Sequence, residues 1–179
     1  MDFSSYKLIR LSADYEIPLF DCGDSDLNDF LINDSKNYLE KLLAVTYLLV
    51  SGDKTAAFFC VANDKISVQD SDSKSQWKKL SKVMPFHKRY ESFPAVKIGR
   101  FAVDISMKGQ GLGTALLDYI KEFFMTNNRT GCLFVTVDAY TESLEFYEKN
   151  GFKYLCPIRE QEKNEKTRLM YYSLRELTN

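Results

Sequence analysis

The chain has 179 residues, of which 45% are hydrophobic and 27% are charged, and its formal net charge is −1. This composition is typical of an ordinary globular domain and excludes a chain that is disordered throughout. The four cysteines are far apart without a CxxC pair, and His87 is the single histidine, so no zinc site is expected. The N-terminus lacks a signal-peptide pattern and no apolar stretch approaches a membrane span, so we expect a cytoplasmic protein without a membrane partner.

The near-neutral net charge conceals two segments of opposite sign. Residues 14–40 contain eight Asp and Glu against one Lys, and residues 74–100 contain eight Lys and Arg against one Glu. One interpretation is that both segments are solvated faces. The other is that they face different parts of a ligand or partner. The sequence leaves both open.

The first part of the chain predicts a strand, two short helices and a hairpin. Alternation over residues 6–11 predicts the strand. Residues 24–26 can cap a helix, which a second helix follows to about Leu43. The segments AVTYLLVSG and KTAAFFCVAN predict two strands joined by a turn at residues 51–53.

Residues 64–94 are predicted to be an insertion between strands, because a polar stretch, a helical pattern and two prolines follow one another there. The strand AVKIGRFAV, the glycine turn KGQGLG and an amphipathic helix come next. The strand CLFVTVDA precedes the helix TESLEFYEKNGF, which is expected to end at Gly151, and two closing strands follow. No internal repeat or second domain is visible, so we expect one domain over residues 1–179.

The glycine turn carries the most chemical information. Gly109, Gly111 and Gly113 lie between a predicted strand and a predicted helix. Because the first N–H groups of a helix have no acceptor within it, several backbone N–H groups are expected to be unpaired there. The helix dipole favours phosphate or pyrophosphate at that point, to which Lys108 can add a cation and Thr114 a hydroxyl. A purely structural turn remains an alternative. A P-loop is excluded because no Lys-Ser/Thr pair follows the last glycine, but a dinucleotide site with Asp138 as its acidic residue stays open.

Strand–GQGLG–helix, followed by strand–VDA and SLEFYEKNGF, resembles the GNAT acetyltransferase superfamily. The family pattern is Arg or Gln, two variable residues, Gly, one variable residue, then Gly or Ala. Lys108, Gly111 and Gly113 occupy it here, and the lysine departs from the pattern. The resemblance covers roughly residues 6–175. It implies an α/β (α+β) fold in which a single acyl-CoA N-acyltransferase domain has a central mixed, mostly antiparallel sheet flanked by helices.

The same resemblance implies an N-acetyltransferase that moves an acetyl group from acetyl-CoA directly to an amine in a ternary complex, with no metal. The backbone of Phe101, Ala102 and Val103 would hold the pantetheine arm and the thioester carbonyl. Tyr147, otherwise a core aromatic residue, would protonate the thiolate, since a tyrosine of pKa about 10 can supply a proton to a thiol of about 8–9. The coenzyme pyrophosphate would contact Lys108, Gly109, Gln110, Gly111, Leu112, Gly113 and Thr114.

A narrower resemblance is carried by FDCGxxxLNxFL and KIGRFAVD. These segments are similar to toxin-type GNAT enzymes, which acetylate aminoacyl-tRNA and are paired with a ribbon-helix-helix antitoxin. The residues of the first segment are Phe20, Asp21, Gly23, Leu27, Phe30 and Leu31. Arg100, inside an apolar strand, must reach a partner or solvent and is a candidate for the acceptor site.

Several functions therefore remain open. A small-molecule or protein amine is the preferred acceptor, because the chain as a whole is not basic. The alternatives are aminoacyl-tRNA with an antitoxin partner, a non-catalytic acyl-CoA sensor and a nucleotide-binding interaction module. The sequence identifies no general base among Glu142, Asp104 and Asp138, and a homodimer is an open alternative for assembly.

Overall fold

The computed structural model describes residues 5–71, 74–81, 90–126, 131–156 and 166–177. The elements in chain order are β1 (Lys7–Arg10), α1 (Ser25–Asp29), a π-helical turn (Phe30–Asp34), α2 (Ser35–Glu40), β2 (Val45–Ser51), β3 (Lys54–Ser67), α3 (Lys74–Ser81), β4 (Ser92–Val103), α4 (Leu112–Met125), β5 (Phe134–Tyr140), α5 (Leu144–Lys149), β6 (Lys153–Tyr154) and β7 (Thr167–Ser173). Within the described ranges, no helix is long and apolar enough to cross a bilayer.

The strands form a seven-stranded sheet in the order β1-β2-β3-β4-β5-β7-β6. The pairs β1/β2, β2/β3, β5/β7 and β6/β7 are antiparallel. The α/β class, with a mostly antiparallel mixed sheet flanked by helices, is therefore confirmed. The chain divides into two compact units, of which unit 1 contains Met1–Ala62 and Ile98–Ile120 and unit 2 contains Asn63–Lys97 and Lys121–Asn179.

The first helices of unit 1 pack against an aromatic and aliphatic core. Asp24 caps α1, since its side chain accepts from the backbone N–H groups of Asp26 and Leu27, as the sequence predicts. A π-helical turn follows, and its first two residues, Phe30 and Leu31, are both buried. The core comprises Leu11, Cys22, Phe30, Leu31, Leu48, Val50, Phe58, Cys60 and Ala102.

Unit 2 is built around Phe93 and Phe134, whose rings meet edge to face with centroids 6.0 Å apart. Trp77 of α3 stacks on Phe93 at 4.9 Å, which fixes that helix to the unit. The buried core around these rings also contains Ile66, Leu80, Ala95 and Leu155.

Two predicted boundaries are wrong. The connection predicted at residues 64–94 is shorter, because β3 continues to Ser67 and β4 already begins at Ser92. Pro94 lies inside β4, while Pro85 and His87 lie outside the described residues. The second helix ends at Glu40 rather than near Leu43, because Leu42 takes a left-handed φ of 58° that stops the helical path.

Candidate active site

The glycine turn between β4 and α4 has an open backbone. Gly109 and Gly111 have φ values of 75° and 79°, a conformation that glycine adopts without steric cost. A Cβ atom built on either residue would meet no atom within 4 Å. A ligand can therefore approach the backbone closely at these two residues, whereas Gly113 lies inside the first turn of α4.

The first turn of α4 supplies N–H donors at this point. The helix begins at Leu112 and has 14 residues, and the first N–H groups of any α-helix lack acceptors within the helix. Leu112 is 1% exposed and anchors the turn in the core, while Thr114 is exposed. Partial positive charge and free donors together form a site suited to a phosphate or pyrophosphate group.

Lys108, the first residue of the glycine turn, also contacts the segment around Cys22. Its Nζ donates a hydrogen bond of 2.6 Å to the carbonyl oxygen of Cys22. The ammonium group therefore joins the glycine turn to the FDCG segment, and its remaining donors and its charge stay available beside the turn.

A buried carboxylate fixes the chain just before the turn. Asp104 is 0% exposed, and its Oδ1 accepts from Lys54 Nζ at 2.8 Å and from Ser106 N and Oγ at 2.9 and 2.6 Å. Its Oδ2 accepts from the backbone N–H of Asp21 at 3.1 Å. The carbonyl oxygen of Asp21 in turn accepts from Ile105 N at 2.8 Å, so two segments far apart in sequence are tied together.

Burial raises the pKa of Asp104, but the hydrogen bonds from Lys54, Ser106 and Asp21 outweigh it and hold the pKa well below its usual range. The carboxylate is consequently ionised and fully engaged at neutral pH. Asp104 is a positioning residue for the turn and is not suited to act as a general base.

Phe101, Ala102 and Val103 form the last three residues of β4. Ala102 is 5% exposed and packs into the core of unit 1, while Phe101 and Val103 are half-buried. Since successive side chains of a strand point to opposite faces, Phe101 and Val103 share the face away from that core. The role of this backbone in binding a thioester stays a prediction.

Tyr147 lies in unit 2 on α5. It is 6% exposed, and its ring meets those of Phe146 and Phe152 edge to face at 5.3 Å each. Burial raises the pKa of Tyr147 well above its ordinary value, so the hydroxyl keeps its proton throughout the neutral range. Gly151, with a φ of 83°, follows the helix as the expected left-handed cap. The catalytic role of Tyr147 stays a prediction.

The other carboxylates named from the sequence differ in setting. Asp138 on β5 forms an ion pair with Lys97, and its side chain remains partly exposed. Glu142 is exposed in a short 3-10 turn, Thr141–Ser143, just before α5.

The described residues contain no group of three His, Cys, Asp or Glu side chains that could hold a metal ion. Cys22, Cys60, Cys132 and Cys156 are free thiols.

The cations of the basic segment, residues 74–100, differ in setting where the structure describes them. Lys74, Lys78 and Lys79 are exposed on α3 of unit 2, and Lys97 is paired with Asp138. Arg100 belongs to unit 1, where its guanidinium lies over the ring of Phe30. In the acidic segment, Asp21 and Asp24 are used in local hydrogen bonds.

The chain is similar to a known protein family and to several solved structures. Residues 88–170 match the family model described as an acetyltransferase (GNAT) domain. A tyrosine-to-phenylalanine mutant of KacT is 25% identical with a TM-score of 0.75, covering 98% of both chains. AtaT complexed with acetyl-methionyl-tRNAfMet is 23% identical with a TM-score of 0.76, covering 97% of both chains. A mutant of the AtaT toxin bound to the C-terminus of the antitoxin AtaR and acetyl-CoA is 19% identical with a TM-score of 0.70, covering 98% of this chain and 99% of that chain.

We expect Asp104→Asn to lower the free energy of unfolding by about 1–3 kcal/mol at pH 7, because buried hydrogen bonds to an ionised group are lost. The depressed pKa stabilises the fold above the unfolded carboxyl pKa of about 3.9, and this contribution is lost as the pH falls through the folded pKa. The difference between wild type and variant should therefore shrink below about pH 4. Urea unfolding from pH 3 to 7, with the exposed Asp26→Asn as control, measures it. A difference that is independent of pH would contradict the assignment.

Proposed function

We propose that this chain, whose residues 88–170 match the acetyltransferase (GNAT) domain model, transfers the acetyl group of acetyl-CoA to the amino group of aminoacyl-tRNA. The observation that carries the transferase part is the open glycine turn at the N-terminus of α4, with positive φ at Gly109 and Gly111. Its backbone donors suit the coenzyme pyrophosphate. Lys108, Gln110, Leu112, Gly113 and Thr114 complete this binding segment.

The choice of acceptor is supported by the extent of the structural likeness. AtaT, whose complex contains acetyl-methionyl-tRNAfMet, matches over 97% of both chains. Net charge alone favours a small-molecule or protein amine, but net charge does not reveal where charges converge. The whole-chain likeness therefore favours aminoacyl-tRNA over the other amines.

The proposed chemistry needs no covalent intermediate on the protein. The amine nitrogen attacks the thioester carbonyl, the new C–N bond forms, and the C–S bond breaks to release coenzyme A. Backbone groups of Phe101–Val103 hold the carbonyl, where an N–H donor would stabilise the oxyanion. Tyr147 donates its proton to the departing sulfur. The amine nitrogen releases a proton to solvent, and solvent returns a proton to the Tyr147 oxygen.

Burial raises the pKa of Tyr147, which keeps the hydroxyl protonated but also makes it a weaker acid, so the proposed proton transfer depends on the placement of the hydroxyl beside the sulfur rather than on its pKa. A tyrosine whose pKa is raised stays protonated at every pH at which the amine is neutral enough to attack. Its proton is therefore held until negative charge develops on the sulfur. The flanking rings of Phe146 and Phe152 hold the side chain in place.

The proposal extends to a protein partner, a ribbon-helix-helix antitoxin. It is supported by the AtaT toxin, which is bound to the C-terminus of its antitoxin AtaR in a similar structure. A cytoplasmic site of action follows from both proposed partners.

Gly113→Asp should weaken acetyl-CoA binding at least tenfold, which corresponds to about 1.4 kcal/mol. An acidic residue in the first turn of a helix is compatible with folding, but its carboxylate repels the pyrophosphate. Gly113→Asn is the uncharged control, and calorimetry gives both affinities. An unchanged affinity in the folded Asp variant would exclude the turn as the pyrophosphate site. Gly111→Asp is a poorer test, because Gly111 has a left-handed φ and any side chain there would strain the backbone in addition to adding charge.

Tyr147→Phe should lower turnover by about 10²–10⁴-fold, the usual contribution of a positioned acid, with acetyl-CoA affinity nearly unchanged. Because the pKa of Tyr147 is raised, the ratio of wild-type to variant rates should stay constant between about pH 6 and 9. Tyr140→Phe, at an exposed tyrosine on β5, serves as the control. Full turnover of Tyr147→Phe, measured where chemistry limits the rate, would leave Tyr147 a core residue only.

Acetyl transfer should occur to charged tRNA and not to a panel of polyamines and peptides. Radiolabelled acetyl-CoA and each acceptor are incubated with the wild type, with Tyr147→Phe as the catalytically impaired control. Transfer to polyamines or peptides alone would reject the proposed acceptor and keep the acetyltransferase. Stabilisation by acetyl-CoA without turnover on any acceptor would point to an acyl-CoA sensor.

A further inference from the structure

Arg100 is an exposed cation held in a defined orientation. It lies on β4, and its guanidinium carbon is 5.1 Å from the centroid of the Phe30 ring. One guanidinium nitrogen donates 2.7 Å to the carbonyl oxygen of Gly99. These two contacts restrict a side chain that would otherwise sample many rotamers.

The aromatic platform beneath Arg100 is itself rigid. Phe30 is 4% exposed, and its ring lies edge to face with Tyr38 at 5.2 Å and stacks with Phe58 at 6.3 Å. Phe30 is the first residue of the π-helical turn and belongs to the buried core of unit 1. The guanidinium is therefore positioned by the core of unit 1.

The charge of Arg100 is not neutralised by a carboxylate of the described residues. Lys54, in the same unit, is instead paired with Asp104. A guanidinium presents several N–H donors in a planar fork that matches a phosphate in a bidentate manner. The contact with Gly99 leaves the other donors of this fork available.

Arg100 also directly precedes Phe101–Val103, the segment to which the proposed function assigns the thioester. One residue along a strand is about 3.3 Å, so a group that flanks the reacting amine comes within reach of this long side chain. Resting on the proposed function, we propose that Arg100 binds the phosphate of the 3′-terminal nucleotide linkage in the aminoacyl-RNA acceptor and so determines acceptor specificity.

The first test measures RNA binding without acetyl-CoA. A labelled, uncharged minihelix RNA with a CCA end is titrated in anisotropy at several salt concentrations. Arg100→Gln should weaken binding about tenfold and reduce the salt slope by about one. Arg100→Lys should keep the slope but lose part of the affinity, because the bidentate contact is lost. Arg10→Gln, at an exposed arginine of β1, is the matched control and should bind as the wild type does. Equal effects of Arg100→Gln and Arg10→Gln would overturn the proposal.

The second test locates the phosphate. A neutral methylphosphonate replaces the last phosphodiester of the same RNA, and wild type and Arg100→Gln are compared in a double-mutant cycle. The wild type should lose about tenfold in affinity for the neutral RNA, and the variant should lose almost nothing. Independent, additive losses would show that Arg100 contacts another group and would overturn the assignment.

Kinetics separate this inference from the proposed function. With aminoacyl-RNA as acceptor, Arg100→Gln should raise KM about tenfold, with kcat and acetyl-CoA affinity little changed. If no aminoacyl-RNA is acetylated by the wild type while both binding tests succeed, the proposed function fails and the phosphate contact stands. An unchanged KM in the variant would overturn the role of Arg100 in acceptor specificity. Melting temperatures of Arg100→Gln and Arg100→Lys near the wild-type value show that the comparisons report on binding.

Discussion

The geometry of the candidate coenzyme site depends on one buried carboxylate. An ionised carboxylate in the interior is tolerated only when it is fully hydrogen-bonded, and Asp104 meets this condition through Lys54, Ser106 and the backbone of Asp21. These bonds join the end of β4 to the start of β3 and to the FDCG segment. The glycine turn that follows therefore begins from a fixed point, so its open backbone is preorganised for a ligand.

The proposed function assigns two different physical means to the predicted site residues. It uses the backbone N–H groups of the turn, whose side chains are mostly absent or engaged elsewhere, as Lys108 is with Cys22. It uses the side chain of Tyr147, whose pKa is raised by burial. The same burial makes it a core residue, so packing and protonation state have one cause. The two interpretations that the sequence offered for Tyr147 are therefore compatible.

Local signals predicted much of the fold. The cap at Asp24, the hairpin at Gly52, the strand–turn–helix around Gly111 and the helix end at Gly151 all follow from short-range backbone chemistry. The sequence does not indicate that β3 extends to Ser67, because most of the last residues of this strand are polar and resemble a loop. It does not indicate the π-helical turn at Phe30, because an ordinary helical period also places Leu27, Phe30 and Leu31 on one face.

The sequence by itself determined which segments are strand, turn or helix around the glycines, because periodicity and glycine φ preference are properties of neighbouring residues. Only the tertiary structure decided which charges are engaged. Lys108 meets Cys22, Lys97 meets Asp138, and Arg100 rests on Phe30. Each pair joins residues distant in the chain, and electrostatic and ring contacts depend on distances that no local pattern encodes. For this reason the sequence shows residues 74–100 only as a run of cations, whereas the folded chain pairs Lys97 and orients Arg100.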